Sequence, residues 1–584
     1  MSRTLFDPTP AAEITGRDLK SRLPSGDAAR VRRRLALLAG AFAIGFVALS
    51  VRTVQLSLPD IPLVAEAQAA PAPVAAAVSE DLPWRKRASI VDRNGRLLAV
   101  DLPTHTLMVH NRRVKSVDRL SQKLAVALGD DPANIKARLE STRASVILRR
   151  RLTPQQIAGL YRVGDPAIEL LPTVARNYPA GPLTAHVVGF LDAEHRGRAG
   201  MERGQETRLS DPGAGPVTLA IDLGVQHVVH RELKRAIDTF SAIGGAAVVM
   251  DVNTGEVVSM VSLPDFDANR REPVREDAFF NRATYGRYEM GSTFKAFTTA
   301  MALEIGQLGL TDGYDATKPI RFGRFTIRDY HAKARWMTVA EIFKYSSNIG
   351  AAKMAVDVGT DAQRRFLGSL GLLDRSPVEL PEVIDPQPPA RWKELETMTI
   401  AFGHGLAVSP MQVAAAMSAM VNGGRYIEPT LLRRGPENPA VEREVVSAAT
   451  SEKLRKLFRL VVSDGTGGKA AAPGYVVGGK TGTAEKPRAG GYARKSLITS
   501  FAGIFPMHDP KYVVLVMLDE PKGTKETWNY ATAGWNAAPT VGRIIPDIAP
   551  ILGVQPVSPD DPDVIEAMAL PPNAQRTERR NETL

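Results

Sequence analysis

The first strong feature along the chain is an apolar run, LALLAGAFAIGFVALSV, at residues 35–51. Its 17 residues carry no charge, and an extension to position 58 reaches the length that a helix needs to cross a bilayer. Basic residues crowd its N-terminal side, whereas Arg52 is the only one between the run and Trp84. This asymmetry predicts a single transmembrane anchor at 35–58, with 1–34 in the cytoplasm and the rest of the chain outside it. The alternatives are a buried core helix and a signal peptide cleaved near Ala69.

Two further segments show no amphipathic period. Residues 59–81 are rich in Ala and Pro, which favours an extended linker. Residues 553–584 combine several prolines with many charges, and this composition predicts a disordered tail.

Between these segments, residues 82–212 begin with two alternating apolar runs joined by Asn94-Gly95, a pattern that predicts a β-hairpin. The later segment LTPQQIAGL is typical of a helix start. We therefore expect an α+β domain. It offers no paired acids, metal cluster or nucleophile, so we interpret it as a non-catalytic pedestal, with His186 and His195 as structural residues.

Residues 213–552 combine strands and helices in one block. GAAVVMD and EVVSMVS flank a hairpin turn, and YVVGGKTGTA, LITSFAGIF and YVVLVML follow some 200 residues later. Helical segments such as SPMQVAAAMSAMVNGG lie between the two groups. Two early and three late strands predict an α/β fold, with one antiparallel sheet flanked by helices and a helical subdomain inserted between them.

Charge and composition narrow the function classes. The 74 Lys and Arg exceed the 63 Asp and Glu, which gives a net charge of +11. The basic residues are scattered and aromatic content is only 6%, so we expect no nucleic-acid partner. A basic exterior suits a membrane or an anionic cell wall. The absence of cysteine excludes disulfides, thiolate zinc sites and cysteine nucleophiles.

The segment GSTFKAFTTAMALEI contains the first candidate for chemistry. Ser292 and Lys295 are three residues apart, so they share one face of a helix and the lysine can reach the serine hydroxyl. Such a lysine activates a serine nucleophile when burial or a nearby cation lowers its pKa. An N-cap serine followed by a surface lysine is the alternative for this short pattern.

A second candidate is the triplet Ser346-Ser347-Asn348. A capping box formed by Thr338 and Glu341 predicts a short helix that ends at the triplet. Ser346 is then a candidate proton relay, and Asn348 a candidate ligand of a substrate amide. A plain helix-terminating turn is the alternative.

The third candidate is Lys480-Thr481-Gly482 in a predicted strand. Alternation sends Lys480 and Gly482 to one face and Thr481 to the other, so a bend or an edge position is required for Lys480 and Thr481 to line one site. We expect Gly482 to permit close approach of a ligand backbone. The N–H groups of Thr483 and Ser292 are candidates for an oxyanion hole. A plain edge strand is the alternative.

The three motifs occur in one order and with spacings of 54 and 134 residues, which resembles the penicillin-recognising serine enzymes. YEMGSTFK at 288–295 is similar to the family's YEPGSTFK, with Met290 in place of proline. RASIVDRNGRLLA at 87–99 is similar to the family's R-G-x-I-x-D-R-N-G-x-x-L-A, with Ala88 in place of glycine.

Further segments extend this resemblance over most of residues 85–545. They are RNYPAGPLTAHVVGF at 176–190 followed by Gly197, Gly200 and Glu202, TLAIDLGVQ at 218–226, and FGHGLAVSPMQ at 402–412. No glycosyltransferase domain precedes them, so the chain resembles class B penicillin-binding proteins. We interpret His404, within the last of these segments, as structural.

The resemblance implies a D,D-transpeptidase that cross-links peptidoglycan stem peptides and is inhibited by β-lactams. Ser292 would be the nucleophile and Lys295 its base, and Ser346, Asn348 and Lys480 would complete the catalytic group. Lys480, Thr481 and Thr483 would hold the terminal carboxylate of the D-Ala-D-Ala donor. No metal or organic cofactor is implied.

SLITSFAGIFP at 496–506 resembles the division-type members of class B, although AGWNAAP at 533–539 matches their closing segment imperfectly. We therefore expect septal wall synthesis at the inner membrane, with a periplasmic catalytic domain. A polytopic septal glycosyltransferase and other division proteins are the expected partners. The alternatives are an elongation-type transpeptidase, a membrane-tethered β-lactamase and a non-catalytic division scaffold.

Overall fold

A computed structural model describes residues 86–211, 213–270, 276–488 and 491–575. The predicted cytoplasmic tail, the anchor at 35–58 and the linker at 59–81 lie outside these residues. Of the helices in the described ranges, none is long and apolar enough to cross a membrane.

The first domain is a mixed sheet with helices packed against it. Its strands are β1 (Ile90–Val91), β2 (Leu97–Val109), β3 (Val146–Arg149) and β4 (Ile168–Asn177). Its helices are α1 (Val117–Leu128), α2 (Pro132–Leu139), α3 (Pro154–Val163), α4 (Ala185–Val188), α5 (Gly200–Gly204) and α6 (Glu206–Leu209). Strand β5 (Val217–Thr218) runs parallel to β1, so residues beyond position 212 complete this sheet. The strand order is β3-β2-β1-β5, and β4 also pairs with β2.

Local sequence signals account for the turns of this domain. The predicted hairpin is confirmed, because β1 and β2 are antiparallel and Gly95 adopts a φ of +80° in the turn between them. The predicted helix start is also confirmed. Thr153 and Gln156 form a capping box at the N-terminus of α3, and Gly164 ends that helix in the left-handed conformation.

A buried network of charges joins three distant segments of this domain. Glu202 accepts a hydrogen bond from Arg176 at 2.7 Å and one from Arg87 at 3.2 Å. Asp101 accepts from the Arg176 guanidinium at 3.2 Å and from the Arg87 backbone at 2.7 Å. Since an unpaired buried charge costs several kcal/mol, roughly 3–5 when one partner is removed, these segments must assemble together. Arg87, Arg176 and Glu202 belong to the motifs on which the family resemblance depends.

The second domain contains the remaining elements. Its strands are β6 (Gly244–Asp251), β7 (Val257–Leu263), β8 (Gly313–Asp315), β9 (Ile320–Phe322), β10 (Phe325–Ile327), β11 (Trp336–Thr338), β12 (Arg425–Ile427), β13 (Glu442–Glu444), β14 (Gly478–Arg488), β15 (Gly491–Phe505) and β16 (Tyr512–Asp519). Its helices are α7 (Leu223–Phe240), α8 (Lys295–Glu304), α9 (Val339–Tyr345), α10 (Asn348–Val358), α11 (Thr360–Ser369), α12 (Glu394–Ile400), α13 (Pro410–Ala419), α14 (Ala448–Asp464), α15 (Ala537–Ile548) and α16 (Pro562–Met568). Short 3-10 helices occupy Asn111–Arg113, Gly181–Thr184, Glu276–Phe279, Gly291–Phe294 and Gly468–Ala470.

The main sheet has the order β14-β15-β16-β6-β7, and every neighbouring pair is antiparallel. The prediction of two early and three late strands in one antiparallel sheet is confirmed. Strand β14, which contains Lys480, lies at the edge of the sheet, so its outer side is available to line a site.

Both faces of this sheet are apolar, and each is covered by helices. Along β6, Ala246, Val248 and Met250 belong to one hydrophobic core, whereas Ala247 and Val249 belong to the other. Helices α13 and α14 contribute side chains to the first core, and α7 and α15 contribute to the second. The two-residue alternation therefore divides the domain into two packed layers.

Up to residue 575, the C-terminal segment differs from its prediction as a disordered tail; the rest of that prediction, 576–584, lies outside the described residues. Residues 553–575 include helix α16 and pack onto the second domain. Val564 and Ala574 are buried, and Met568 and Leu570 lie half-buried against the same core. The charges and prolines of this segment lie mostly on its exposed side, while its few apolar residues supply a contact face. The prediction of disorder from composition alone is therefore wrong for residues 553–575.

Candidate active site

Ser292 and Lys295 meet where a 3-10 turn becomes helix α8. The turn spans Gly291–Phe294 and the α-helix continues from Lys295. This geometry places Lys295 Nζ 2.9 Å from Ser292 Oγ. The lysine side chain is 1% exposed, so the alternative of a surface lysine is wrong.

Four oxygen atoms lie within hydrogen-bonding distance of the Lys295 amine, more than the number of hydrogens it can donate. Besides Ser292 Oγ, its Nζ lies 3.0 Å from Ser346 Oγ, 2.5 Å from Ser346 O and 2.7 Å from Asn348 Oδ1. An ammonium group has three hydrogens for these four oxygens, whereas a neutral amine has two hydrogens and a lone pair. The neutral form can donate to two of the oxygens and accept the Ser292 hydroxyl proton in the same geometry.

Burial lowers the pKa of Lys295 well below its ordinary value, and repulsion from the neighbouring Lys480 ammonium lowers it further. The carboxylate of Asp329 acts in the opposite direction. Burial also lowers the pKa of Lys480, to about 7. Burial therefore favours the neutral form of the Lys295 amine, which is the form that a base beside a serine hydroxyl requires.

The turn that follows helix α9 brings Ser346 between the two lysines. The predicted capping box of Thr338 and Glu341 is present at the start of α9. Ser346 ends the helix in the left-handed conformation, at φ +57°. Its hydroxyl oxygen lies 3.0 Å from Lys295 Nζ and 3.1 Å from Lys480 Nζ, so one hydroxyl connects both amines.

A loop that the sequence did not single out fixes the same turn. Asp329 accepts hydrogen bonds from the Ser347 hydroxyl at 2.7 Å and from the Ile349 backbone at 3.0 Å. Asn348 Nδ2 donates to Arg328 O at 2.8 Å, while its Oδ1 accepts from Lys295. The Asn348 amide therefore retains one hydrogen and one lone pair for a substrate.

Strand β14 forms another wall of the site. Lys480 is fully buried and reaches Ser346, while the Thr481 hydroxyl bonds to that of Thr466 at 2.7 Å. The Thr483 hydroxyl accepts a hydrogen bond from the backbone of Ala533 at 3.1 Å. Sequence reasoning missed Thr466, although it lies in the glycine-flanked turn DGTGG, which is a recognisable loop signal.

The structure explains the glycine at position 482 differently from the expectation that it lets a ligand approach. A Cβ atom at this position would lie 2.2 Å from Thr293 Oγ1, 2.4 Å from Met290 O and 2.6 Å from Ser500 Oγ. The close approach at Gly482 is thus made by the segment that contains Ser292. A Cβ at Gly291 would likewise lie 2.5 Å from Thr483 O, so the strand and the start of the helix pack backbone to backbone.

Two of the histidines discussed above contact residues outside this group. His404 pairs with Glu289 at 3.2 Å, and His186 is buried edge-on against Phe266. Across the described ranges, no cluster of three His, Asp or Glu side chains could hold a metal ion.

Comparison with known families identifies both domains. Residues 245–545 match the penicillin binding protein transpeptidase domain, and residues 85–210 match the penicillin-binding protein dimerisation domain. These ranges fall within the predicted domains 213–552 and 82–212.

Individual relatives share this organisation along most of their length. The probable peptidoglycan D,D-transpeptidase FtsI of Caulobacter vibrioides is 40% identical over 80% of this chain and 82% of its own. The peptidoglycan D,D-transpeptidase FtsI of Escherichia coli K12 is 28% identical over 80% and 84%. The crystal structure of penicillin binding protein 3 from Mycobacterium tuberculosis with ampicillin is 25% identical, covers 82% of this chain and 97% of its own, and superposes with a TM-score of 0.65. The chain belongs to the class B penicillin-binding proteins, which are serine enzymes of the transpeptidase family.

The packing at Gly482 predicts a specific defect. In Gly482→Ala, the new methyl group meets backbone and short side chains that have no room to move, so β14 must shift away from Ser292. We expect the rate of covalent labelling by a fluorescent penicillin to fall by about 10- to 100-fold, because small misplacements of reacting groups are this costly.

Gly435→Ala is the matched control, since a Cβ there meets nothing within 4 Å. It should label at the wild-type rate. Wild-type labelling of Gly482→Ala would contradict the close packing of the strand against residues 290–293.

Proposed function

We propose that this protein cross-links peptidoglycan stem peptides during septal wall synthesis through a serine acyl-enzyme, with Ser292 as the nucleophile. The observation that carries the proposal is the contact of 2.9 Å between Ser292 Oγ and the buried amine of Lys295. A buried amine beside a second lysine is a competent base near neutral pH, because both burial and repulsion disfavour its charged form.

In the acylation step, Lys295 takes the Ser292 proton as Oγ attacks the penultimate D-Ala carbonyl carbon of the donor. The N–H groups of Ser292 and Thr483 stabilise the oxyanion that forms. The C–N bond to the terminal D-Ala then breaks. Lys295 returns the proton it took to the leaving amine through the Ser346 hydroxyl, which contacts both Lys295 and Lys480, so Lys295 is neutral again before the second step.

In the second step, an amine of a neighbouring stem peptide attacks the acyl-enzyme carbonyl. The attacking nitrogen loses a proton to Lys295 as the new amide bond forms. The C–O bond to Ser292 breaks, and the serine oxygen regains its proton from Lys295. The starting enzyme is restored without a metal or an organic cofactor.

Strand β14 supplies the binding groups for the donor. Lys480, Thr481 and Thr483 would hold the terminal carboxylate through charge-assisted hydrogen bonds, each worth roughly 1.5–3 kcal/mol. The remaining hydrogen and lone pair of Asn348 would bind a substrate amide. Gly482 serves this site indirectly, by letting the strand lie close to Ser292.

A β-lactamase would require a group that activates a deacylating water. Asp329, the carboxylate that acts on Lys295, is already bonded to Ser347 and to a backbone amide, which disfavours this alternative. A non-catalytic scaffold is disfavoured because Ser292, Lys295 and Ser346 are all present and Lys295 bonds to both serine hydroxyls. Measured turnover of a β-lactam would revive the first alternative, and failure of the wild-type protein to acylate would revive the second.

The nucleophile assignment has a direct test. Ser292→Ala and Lys295→Ala should each abolish covalent labelling by a fluorescent penicillin, and the double variant should be no worse, because the two groups act as one unit. Lys353→Ala, which removes a lysine bonded only to a backbone carbonyl, should label normally. Labelling of Ser292→Ala at full stoichiometry, mapped to another serine, would refute the assignment.

We further propose that residues 35–58 anchor the protein in the inner membrane, with the catalytic domain in the periplasm. The chain contains no cysteine, so single cysteines can report on topology. A cysteine at position 20 should resist an impermeant thiol reagent in intact cells, while one at position 75 should react. A mature protein that begins near Ala70 would show instead that the apolar run is a cleaved signal peptide.

The septal assignment is supported by the division-type segment at 496–506 and by 40% identity to a protein named FtsI. The catalytic residues alone do not determine where in the cell the enzyme acts. We therefore propose that the anchor and the first domain place the enzyme beside a polytopic septal glycosyltransferase. These segments supply surface outside the active site for such docking.

Depletion of the protein should therefore block constriction and give long filaments with normal side walls. A chimera with a foreign anchor and first domain should keep penicillin labelling but lose its midcell position, as seen by fluorescence of a tagged protein. Round, swollen cells on depletion would favour the elongation-type alternative.

A further inference from the structure

The C-terminal segment returns to the catalytic region after the last helix of the main fold. Val557 bonds to Gly474 at 2.8 Å, and α16 then packs onto the core through Val564. Residues 571–574 form a turn in which Ala574 N donates to Pro571 O at 3.1 Å. The segment thus follows a fixed path from Val557 to Gln575.

This path ends on helix α9, which delivers Ser346 to the site. At the start of α9, the Thr338 hydroxyl accepts from Glu341 N and donates to Ala574 O. Thr338 is 2% exposed, so Ala574 satisfies a buried donor of the helix cap. At the other end of α9, Lys344 Nζ donates to Gln575 Oε1 at 2.8 Å.

Lys344 also connects α9 to strand β14. Its ammonium group is paired with Asp464, the last residue of α14. Two residues later, Thr466 bonds to the Thr481 hydroxyl at 2.7 Å. One buried lysine therefore joins the helix before Ser346, the loop before β14 and the C-terminal segment.

We propose that residues 573–575 position the Ser346 turn by holding both ends of helix α9. In this role Ala574, through its backbone carbonyl, and Gln575 are positioning residues that act through Thr338 and Lys344. The proposal rests on the proposed acylation chemistry for its functional consequence, but the restraint on α9 can be measured without any reaction.

Two truncations test the proposal. A chain that ends at Pro572 loses the Ala574 and Gln575 contacts but keeps α16, while a control chain that ends at Gln575 keeps both. We expect the Pro572 chain to acylate with a fluorescent penicillin about 10-fold more slowly, as a displaced proton relay would require. The Gln575 chain should match the full-length protein, and both should retain a similar Tm. Equal acylation rates for the two truncations would overturn the proposal.

Substitutions at Gln575 provide a second comparison if the shorter chain folds poorly. Gln575→Lys places an ammonium against Lys344 and should slow acylation, while Gln575→Glu retains an acceptor and should preserve the rate. Hydrogen exchange of the amides at 343–349 should be faster in the Pro572 chain and in Gln575→Lys only. Unchanged exchange in these two variants would refute the restraint. Faster exchange in them, together with a wild-type protein that does not acylate, would refute the proposed function alone.

Discussion

The burial of the Lys295 amine is the constraint on which the rest of the catalytic domain depends. An amine removed from water needs hydrogen-bond partners, and two segments far apart in the chain supply them, one at Ser292 and the other at Ser346 and Asn348. The first is the 3-10 turn that leads into α8 and the second is the turn between α9 and α10, so the helical subdomain must pack correctly before the amine is satisfied. The same burial suits the amine to the role of base that we propose for it, because its neutral form is the one that the site favours.

Close backbone packing and buried ion pairs keep these segments in place. Gly482 lets β14 lie against the start of α8, and Asp329 fixes the turn at Ser346 through Ser347. In the first domain, Arg176 and Glu202 bind each other without solvent, which joins segments far apart in the chain. Each of these contacts tolerates little displacement, since removal of one partner leaves a buried polar group unsatisfied.

Much of the architecture could be predicted because its signals are local. The pattern of apolar strand segments predicted the sheet, and the capping box of Thr338 and Glu341 predicted the start of α9. Three short motifs predicted the residues that meet in the site. The contributions of Asp329 and Thr466 could not be predicted, because each depends on a partner distant in sequence. The tail was mispredicted up to residue 575. A few of its apolar residues, Val564 among them, pack onto the core of the second domain although the segment as a whole is polar. We expected Gly482 to make room for a ligand, because the sequence does not show that Met290 O occupies the space beside its Cα.

The pH dependence of acylation tests the central claim that a neutral Lys295 activates Ser292. The second-order rate of penicillin acylation should fall at acid pH as Lys295 gains a proton, and at alkaline pH as Lys480, whose pKa is about 7, loses the charge that holds the ligand carboxylate. In Lys480→Met the alkaline limb should disappear, and the acid limb should move to higher pH because the repulsion that lowers the Lys295 pKa is removed. Lys353→Met should leave both limbs in place. An acid limb that does not move in Lys480→Met, or a rate that rises as the pH falls, would contradict the account.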